Sequence, residues 1–182
     1  IAARVAELAA PLEELKQRPV GETSAAIDGD GGSCRLGECS MGNLVADAML
    51  DRVKGQGVLI AVQNGGGLRA SMDSGQITMG EILEVLPFQN TLSTFELKGS
   101  DVVATLENGV SQVEEIKGRF PQVAGLRFAW DETVEPLKGR IKQVQVMKDG
   151  EWADIDPEAT YAVVTNDFMR GGGDGYAVFR DK

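Results

Sequence analysis

Two glycine triplets stand beside side chains that could bind a polar small molecule. The first lies in residues 64–69 (NGGGLR) and the second in residues 171–175 (GGGDG). Glycine loses more backbone entropy on folding than other residues, so such runs are kept where φ is positive or another group approaches closely. One run is followed by an arginine and the other contains an aspartate. The pattern predicts a polar ligand held against bare backbone.

Two phenylalanines could supply the flat apolar faces that a nucleobase needs. Phe88 and Phe168 both occur in loop-like contexts near glycine. Two rings about 7 Å apart would stack a base between them. Both rings could instead belong to the core, which is the more common place for phenylalanine.

The polar residues near the triplets have a binding interpretation and a structural one. Asp174 could accept hydrogen bonds from two ribose hydroxyls, or it could serve only the turn, since Asp-Gly is a common turn pair. Arg35 and Arg69 could hold an anion or lie on the surface as solvated cations. Asn64 could bond a base edge or cap its loop, and Gly66 is where a ligand could approach the backbone. The glycine patterns of P-loop and Rossmann proteins are absent.

Composition excludes several classes of function. The chain has 182 residues, a net charge of −10 and no histidine. A nucleic acid polymer would be repelled, because binding it depends on lysine and arginine neutralising phosphates. Without histidine there is no Ser-His-Asp triad, Cys-His pair or histidine-built zinc site in the chain, although a carboxylate Mg²⁺ site is still allowed. No apolar run is long enough to span a membrane, and the length predicts one soluble domain, or one such domain plus a short leader.

The two cysteines bear on the compartment. Cys34 and Cys39 could form a disulfide or remain free thiols, and a metal site on them is disfavoured because no histidine or second cysteine pair could complete it. A disulfide would indicate the periplasm or the extracellular space.

Two apolar strands must position these residues. The runs 58–62 and 161–165 each lead into a glycine triplet, and ligands bind at the carboxyl ends of strands in open α/β sheets. Helices are predicted to begin with caps at Ser40, Thr78 and Ser100. The fold class is therefore α+β, a mixed sheet flanked by helices on both faces. Further strands are predicted at 18–27, 91–97, 126–130 and 141–147, with a hairpin turn at 148–151.

The first 17 residues are predicted to be a helical connector. Apolar residues at Val5, Leu8, Leu12 and Leu15 repeat every three or four positions, as in an amphipathic helix. Pro11 removes one helical hydrogen bond, so a kink or break is expected near Ala10. Residues 18–182 would form the domain proper.

A series of motifs, taken in order, resembles the C-terminal domain of the 5′-nucleotidase family, which includes UDP-sugar hydrolases and 2′,3′-cyclic-nucleotide phosphodiesterases. The likeness extends from residue 33 to the end of the chain. Each motif is weak alone, but their order and spacing are highly specific. The motifs are CRLGECSMGNL at 34–44, NGGGLR at 64–69, VLPF at 85–88, VAGLR at 123–127, and NDF followed by GGGDGY at 166–176.

The resemblance implies a role for each candidate residue. It implies that Phe88 and Phe168 sandwich the nucleobase and that Asp174 binds the ribose hydroxyls. It also implies that Asn64 touches the base, that Arg35 and Arg69 bind phosphate or the ribose-phosphate edge, and that Cys34 pairs with Cys39. Gly66 would belong to the same substrate site.

The resemblance also implies that hydrolysis needs a domain that this chain does not contain. In the family, two divalent metal ions are held by an N-terminal metallophosphoesterase domain, and a chain without histidine cannot be that domain. We therefore expect no catalytic residue and no metal here, a nucleotide or nucleoside as ligand, and the metallophosphoesterase domain as partner in cis. Alternatives are the same domain of a UDP-sugar hydrolase, a cyclic-nucleotide phosphodiesterase, a 3′-nucleotidase or a thiosulfohydrolase, or a non-catalytic nucleotide-binding module.

Overall fold

The structure is a computed structural model that describes residues 12–182. Residues 12–16 are helical, in agreement with the later part of the predicted connector helix. Val5, Leu8 and the kink predicted near Ala10 lie outside the described residues.

The described residues contain strands and helices that alternate along most of the chain. The strands are β1 (Pro19–Thr23), β2 (Ile60–Asn64), β3 (Gly75–Thr78), β4 (Leu92–Lys98), β5 (Pro121–Ala124), β6 (Leu126–Trp130), β7 (Ile141–Lys148), β8 (Glu151–Asp154) and β9 (Thr160–Asn166). The helices are α1 (Ser33–Leu36), α2 (Ser40–Arg52), α3 (Met79–Val85), α4 (Gly99–Gly109), α5 (Asp167–Arg170) and α6 (Ala177–Arg180). Short 3₁₀ turns cover Gly65–Gly67 and Gly173–Gly175.

A mixed four-stranded sheet forms the centre of the fold. Its order is β4-β9-β2-β5, with β2 parallel to β9 and antiparallel to β5. Strand β4 runs antiparallel to β9. Two smaller antiparallel sheets, β1-β3 and β6-β7-β8, complete the β-structure. Because β2 and β9 are parallel, the two segments that carry the glycine triplets leave the sheet at the same edge.

Both faces of the central sheet are covered, which confirms the predicted α+β class. Ile60 and Val62 of β2 pack with Leu106 of α4 on one face. Ala61 packs with Met49 of α2 on the other. This alternation follows from the two-residue period of a strand, and it explains why β2 reads as a continuous apolar run rather than an alternating one.

The predicted capping box at the start of α3 is confirmed. The Thr78 N–H donates to Glu81 Oε2 at 2.7 Å, and the Glu81 N–H donates to Thr78 Oγ1 at 3.4 Å. The hydrogen bonds from Thr78 lower the pKa of the Glu81 carboxyl. Helix α3 ends at Val85, two residues before a proline, as the sequence predicts.

Two predicted helix caps are wrong by one or two residues. Helix α2 has Cys39 as its N-cap, and the Cys39 Sγ accepts from the Gly42 N–H at 3.3 Å. Ser40 is the first helical residue, and its hydroxyl instead accepts from the Asp28 N–H at 2.8 Å. Helix α4 begins at Gly99, so Ser100 lies inside its first turn. The α4 start is capped locally instead, because the Lys98 N–H donates to Asp101 Oδ2 at 3.3 Å.

The hairpin turn predicted at 148–151 is confirmed between β7 and β8. Lys148 pairs with Glu151 across the turn. Asp149 and Gly150 have φ values of 54° and 86°, which is the left-handed pair that a tight two-residue hairpin requires.

Candidate functional site

A cleft of about 480 Å³ opens where the two glycine segments leave the central sheet. Strand β2 ends at Asn64 beside the first triplet, and β9 ends at Asn166 shortly before the second. Six of the seven predicted binding residues line this one cleft: Arg35, Asn64, Gly66, Phe88, Phe168 and Asp174. The residues come from four separate segments of the chain, so the fold brings together what the sequence keeps apart.

The first glycine triplet is explained by close backbone approach. A Cβ at Gly65 would collide with the carbonyl oxygen of Cys34, and one at Gly66 would lie 2.7 Å from the Cα of Gly118. The Gly66 N–H donates to the Gly118 carbonyl at 2.8 Å. Three chain segments therefore meet at the triplet, with no room for side chains.

The second glycine segment is explained by a left-handed turn. Gly172, Asp174 and Gly175 have φ values of 92°, 54° and 81°. Glycine enters this region without a steric cost, and aspartate tolerates it better than most residues. The turn carries the Asp174 carboxylate into the cleft.

Asn64 fixes the Asp174 carboxylate. The Asn64 Nδ2 donates to Asp174 Oδ2 at 2.7 Å. The Asn64 Oδ1 accepts from Asn166 Nδ2 at 3.0 Å and from Gln63 Nε2 at 3.2 Å. Asn64 is only 3% exposed, so its orientation is set by buried hydrogen bonds. Among the described residues, the hydrogen bond to the Asp174 carboxylate is made to Oδ2, which leaves Oδ1 without a protein donor.

A second set of contacts holds the main chain of the Asp174 turn. Asn108 Nδ2 donates to the Asp174 carbonyl at 3.2 Å, and Arg119 Nη1 donates to Asn108 Oδ1 at 3.2 Å. The Tyr176 hydroxyl donates to the Arg119 carbonyl at 2.6 Å. Burial and then the Asp174 charge raise the pKa of Tyr176, so the phenol stays a neutral donor. Sequence reasoning missed Asn108, Arg119 and Tyr176.

The two predicted stacking residues are exposed aromatic rings. Phe88 is 57% exposed and Phe168 is 47% exposed. The Phe168 ring rests on Gly173, where a Cβ would lie 2.5–2.6 Å from three ring atoms. Large exposed rings are uncommon in a soluble domain unless they serve a contact. The interpretation of these residues as core is therefore wrong.

Arg69 is the predicted binding residue that does not line the cleft. Its guanidinium carbon lies 5.8 Å from the centroid of the Phe88 ring, within cation–π distance. Arg69 is exposed beside the ring. It can support the orientation of Phe88 as well as attract an anion to this side of the cleft.

Arg35 lies within a ring closed by the disulfide. Cys34 and Cys39 are bonded, which confirms the predicted pair. Gln122 of β5 holds the ring against the sheet, because its Nε2 donates to the carbonyls of Cys34 and Gly37 at 3.0 and 2.8 Å. The Arg35 Nε is buried without a hydrogen-bond partner among the described residues. Arg35 also lines the cleft, where its guanidinium could donate to a bound anion.

The described residues do not fit a metal centre. Within 12–182, no group of three or more histidine, cysteine, aspartate or glutamate residues could hold a metal ion. The same part of the chain contains no helix long and apolar enough to cross a membrane.

The fold and the cleft define an α+β domain with an aromatic-lined, polar cleft of small-molecule size. The family described as "5′-nucleotidase, C-terminal domain" matches residues 19–181. The chain therefore belongs to the 5′-nucleotidase C-terminal domain family, as the motifs predict.

Individual relatives agree with this assignment. The chain is 42% identical over 172 residues to the trifunctional nucleotide phosphoesterase protein YfkN of Bacillus subtilis, covering 93% of this chain and 12% of that protein. It is 31% identical over 184 residues to the human 5′-nucleotidase, covering 94% of this chain and 32% of that protein. The crystal structure of a 5′-nucleotidase precursor from Thermus thermophilus superposes with a TM-score of 0.93 at 43% identity, covering 98% and 35% of the two chains. The chain thus spans about a third or less of the length of each of these relatives.

Proposed function

We propose that this chain is the substrate-recognition domain of a 5′-nucleotidase-type phosphohydrolase. Phe88 and Phe168 hold the nucleobase, and Asp174 accepts from the ribose hydroxyls. Arg35, with Arg69 at the outer side of Phe88, faces the phosphate. The observation that carries the proposal is one cleft in which two half-exposed rings, a carboxylate and a guanidinium converge.

The chemistry of each group supports a nucleotide over a smaller anion. An exposed ring contributes about 1–3 kcal/mol when a base stacks on it, because water is removed from two flat apolar faces. A thiosulfate ester without a base would leave both rings in water. A carboxylate held at one oxygen by Asn64 presents its other oxygen to a hydroxyl pair. Asn64 keeps one amide N–H for the base edge, and Gly66 lets the ligand approach the backbone.

Hydrolysis is assigned to another domain of the same protein. The described residues offer no metal site, so this domain would bind and orient the substrate, which lowers the entropy cost of reaction. Two divalent ions in an N-terminal metallophosphoesterase domain would activate water and neutralise phosphate charge. In this proposal residues 1–17 connect the two domains and residues 18–182 bind substrate. The disulfide favours a periplasmic or extracellular setting.

Calorimetric titration of the 182-residue chain tests the proposal. AMP, adenosine, UMP and UDP-glucose are the ligands to compare. AMP and UMP differ in the base, AMP and adenosine in the phosphate, and UDP-glucose adds a second phosphate that carries a glucose. We expect binding of AMP and adenosine, and a loss of about tenfold or more in the Phe88→Ala, Phe168→Ala double variant. The chain alone should hydrolyse none of them, with or without added Mg²⁺ or Zn²⁺.

A matched control separates stacking from general loss of aromatic surface. Trp152 on β8 is another partly exposed aromatic side chain, and it lies away from the cleft. Trp152→Ala should bind adenosine as the wild type does. Absence of binding by the wild type, or equal binding by the double variant, would overturn the proposed function.

A further inference from the structure

The cleft has a third wall that sequence reasoning missed. Ile116, Lys117 and Gly118 line the same cleft as the two phenylalanine rings. They belong to the loop between α4 and β5. Of these three residues, Ile116 is the one with an apolar side chain, and it is 47% exposed.

The segment 116–118 is held next to Asp174 by a backbone hydrogen bond. The Gly118 carbonyl accepts from the Gly66 N–H at 2.8 Å. A Cβ at Gly118 would lie 3.2 Å from Asp174 Oδ2. A ligand whose hydroxyls reach Asp174 would therefore lie next to this segment, with Ile116 two residues away.

The backbone of Ile116 has a conformation that isoleucine disfavours. Its φ is 53°, and a β-branched residue at positive φ is a genuine outlier because its side chain crowds the backbone. Glycine or asparagine would take this conformation more readily. About half of the Ile116 side chain is also left in water, so burial in the core does not explain why isoleucine stands here.

We propose that Ile116 is a ligand-contacting residue that packs against the sugar and base edge of a bound nucleoside. The inference deepens the proposed function and rests on it. The strain and the exposed apolar surface are both costs in the free domain. A ligand that covers Ile116 removes its apolar surface from water, so that surface contributes to the binding energy, whereas the backbone strain is present with or without ligand. Strained residues that persist at clefts are typical of such contacts.

The test compares stability with affinity in Ile116→Asn. Asparagine is of similar size and tolerates positive φ, so the Tm should be equal to or above that of the wild type. The adenosine affinity should fall about fivefold, because an apolar contact is lost. Ile116→Gly, which tolerates the same φ, should also weaken binding and serves if the asparagine variant folds poorly.

Leu137 provides the matched control. It also has positive φ, at 62°, and is 63% exposed, but it does not line the cleft. Leu137→Asn should keep its Tm and bind adenosine as the wild type does. If Ile116→Asn, or Ile116→Gly where the asparagine variant folds poorly, binds adenosine within twofold of the wild type, or if Leu137→Asn loses affinity to the same extent, the inference is overturned.

The same experiment separates this inference from the proposed function. A wild-type chain that binds no nucleoside refutes the proposed function, and the inference with it. A wild-type chain that binds adenosine and loses affinity in the double phenylalanine variant, but not in Ile116→Asn or Ile116→Gly, refutes the inference alone.

Discussion

The hydrogen bond from Asn64 to Asp174 can be tested by changing one chemical group. In Asn64→Asp an oxygen replaces the amide nitrogen that lies 2.7 Å from Asp174 Oδ2. The remaining oxygen still accepts from Asn166 and Gln63. The variant therefore places two carboxyl groups face to face with little change in shape.

The size of the effect follows from the distance between the two charges. At about 4 Å and an effective dielectric constant near 20, two like charges repel by about 4 kcal/mol. Water reaches the cleft side of Asp174 and screens part of this repulsion, so we expect the variant to lose about 3 kcal/mol of stability once both carboxyl groups are ionised near pH 7.

The sign of the pH dependence follows from proton linkage. Because the two charges repel, the folded variant keeps a proton that the unfolded chain has released above about pH 4. The added instability is therefore absent near pH 4 and grows until the pair is fully ionised near pH 7. Carboxylates with lowered pKa values, such as Asp101 beside Lys182, act in the opposite direction, but they are common to both proteins. The difference between variant and wild type isolates the new pair.

Urea unfolding at pH 4, 5, 6 and 7 measures this difference in the free energy of unfolding. In thermal unfolding at pH 7, the Tm of the variant should lie about 5–10 °C below that of the wild type. Asn43→Asp is the matched control, because Asn43 Nδ2 also donates to a carboxylate, Glu38 Oε1, at 2.7 Å. That pair is exposed, so water should screen the repulsion and leave a much smaller pH dependence. Equal pH profiles for Asn64→Asp and the wild type would refute the reasoning.

Two further changes test the parts of the cleft separately. Gly173→Ala places a methyl group against the Phe168 ring, so calorimetry should show a loss of about tenfold in adenosine affinity. Gly171→Ala is its control, since a Cβ there makes ordinary contacts, and equal affinities would show that the ring can shift freely. Replacing Cys34 and Cys39 by serine should lower the free energy of unfolding in urea by about 2 kcal/mol, because the ring constrains the unfolded chain. Wild-type protein reduced with dithiothreitol should match that variant, and no change on reduction would contradict the estimate.

The parts of the fold that were predicted are those with strong local patterns. The strand at 126–130 and the capping box of Thr78 and Glu81 appear where the sequence places them. The central strand begins at Ile60 rather than Val58. The division into three sheets was not predictable, because β2 pairs with a strand about a hundred residues away. Strand pairing over such distances depends on packing rather than on local preference.

The residues of the candidate site likewise fall into those that the local sequence could reveal and those that it could not. Phe88, Phe168 and Asp174 could be singled out because they stand in loop or turn contexts near glycine. The exposure of the two rings could not be predicted, since phenylalanine is more common in the core. Gln122 could not, since it reads as one polar residue in a short strand, yet its amide bonds the disulfide ring 85 and 88 residues away. Asn108 likewise acts across 66 residues to hold the Asp174 turn. Residues that position others leave no local pattern when their partners are distant.

The two glycine triplets look alike in the sequence but have different structural roles. In the first, a side chain at Gly66 would meet the Cα of Gly118, and no rotamer change can move a backbone atom away. In the second, Gly172 needs its positive φ, while the space around it is occupied by the flexible side chain of Arg180. The first triplet therefore allows close backbone contact with the segments of Cys34 and Gly118 at the base of the cleft. The second forms the turn that carries Asp174. The cleft thus combines a close-packed backbone with exposed side chains, so substitutions at Phe88 or Ile116 should change its lining without disturbing the backbone contacts at its base.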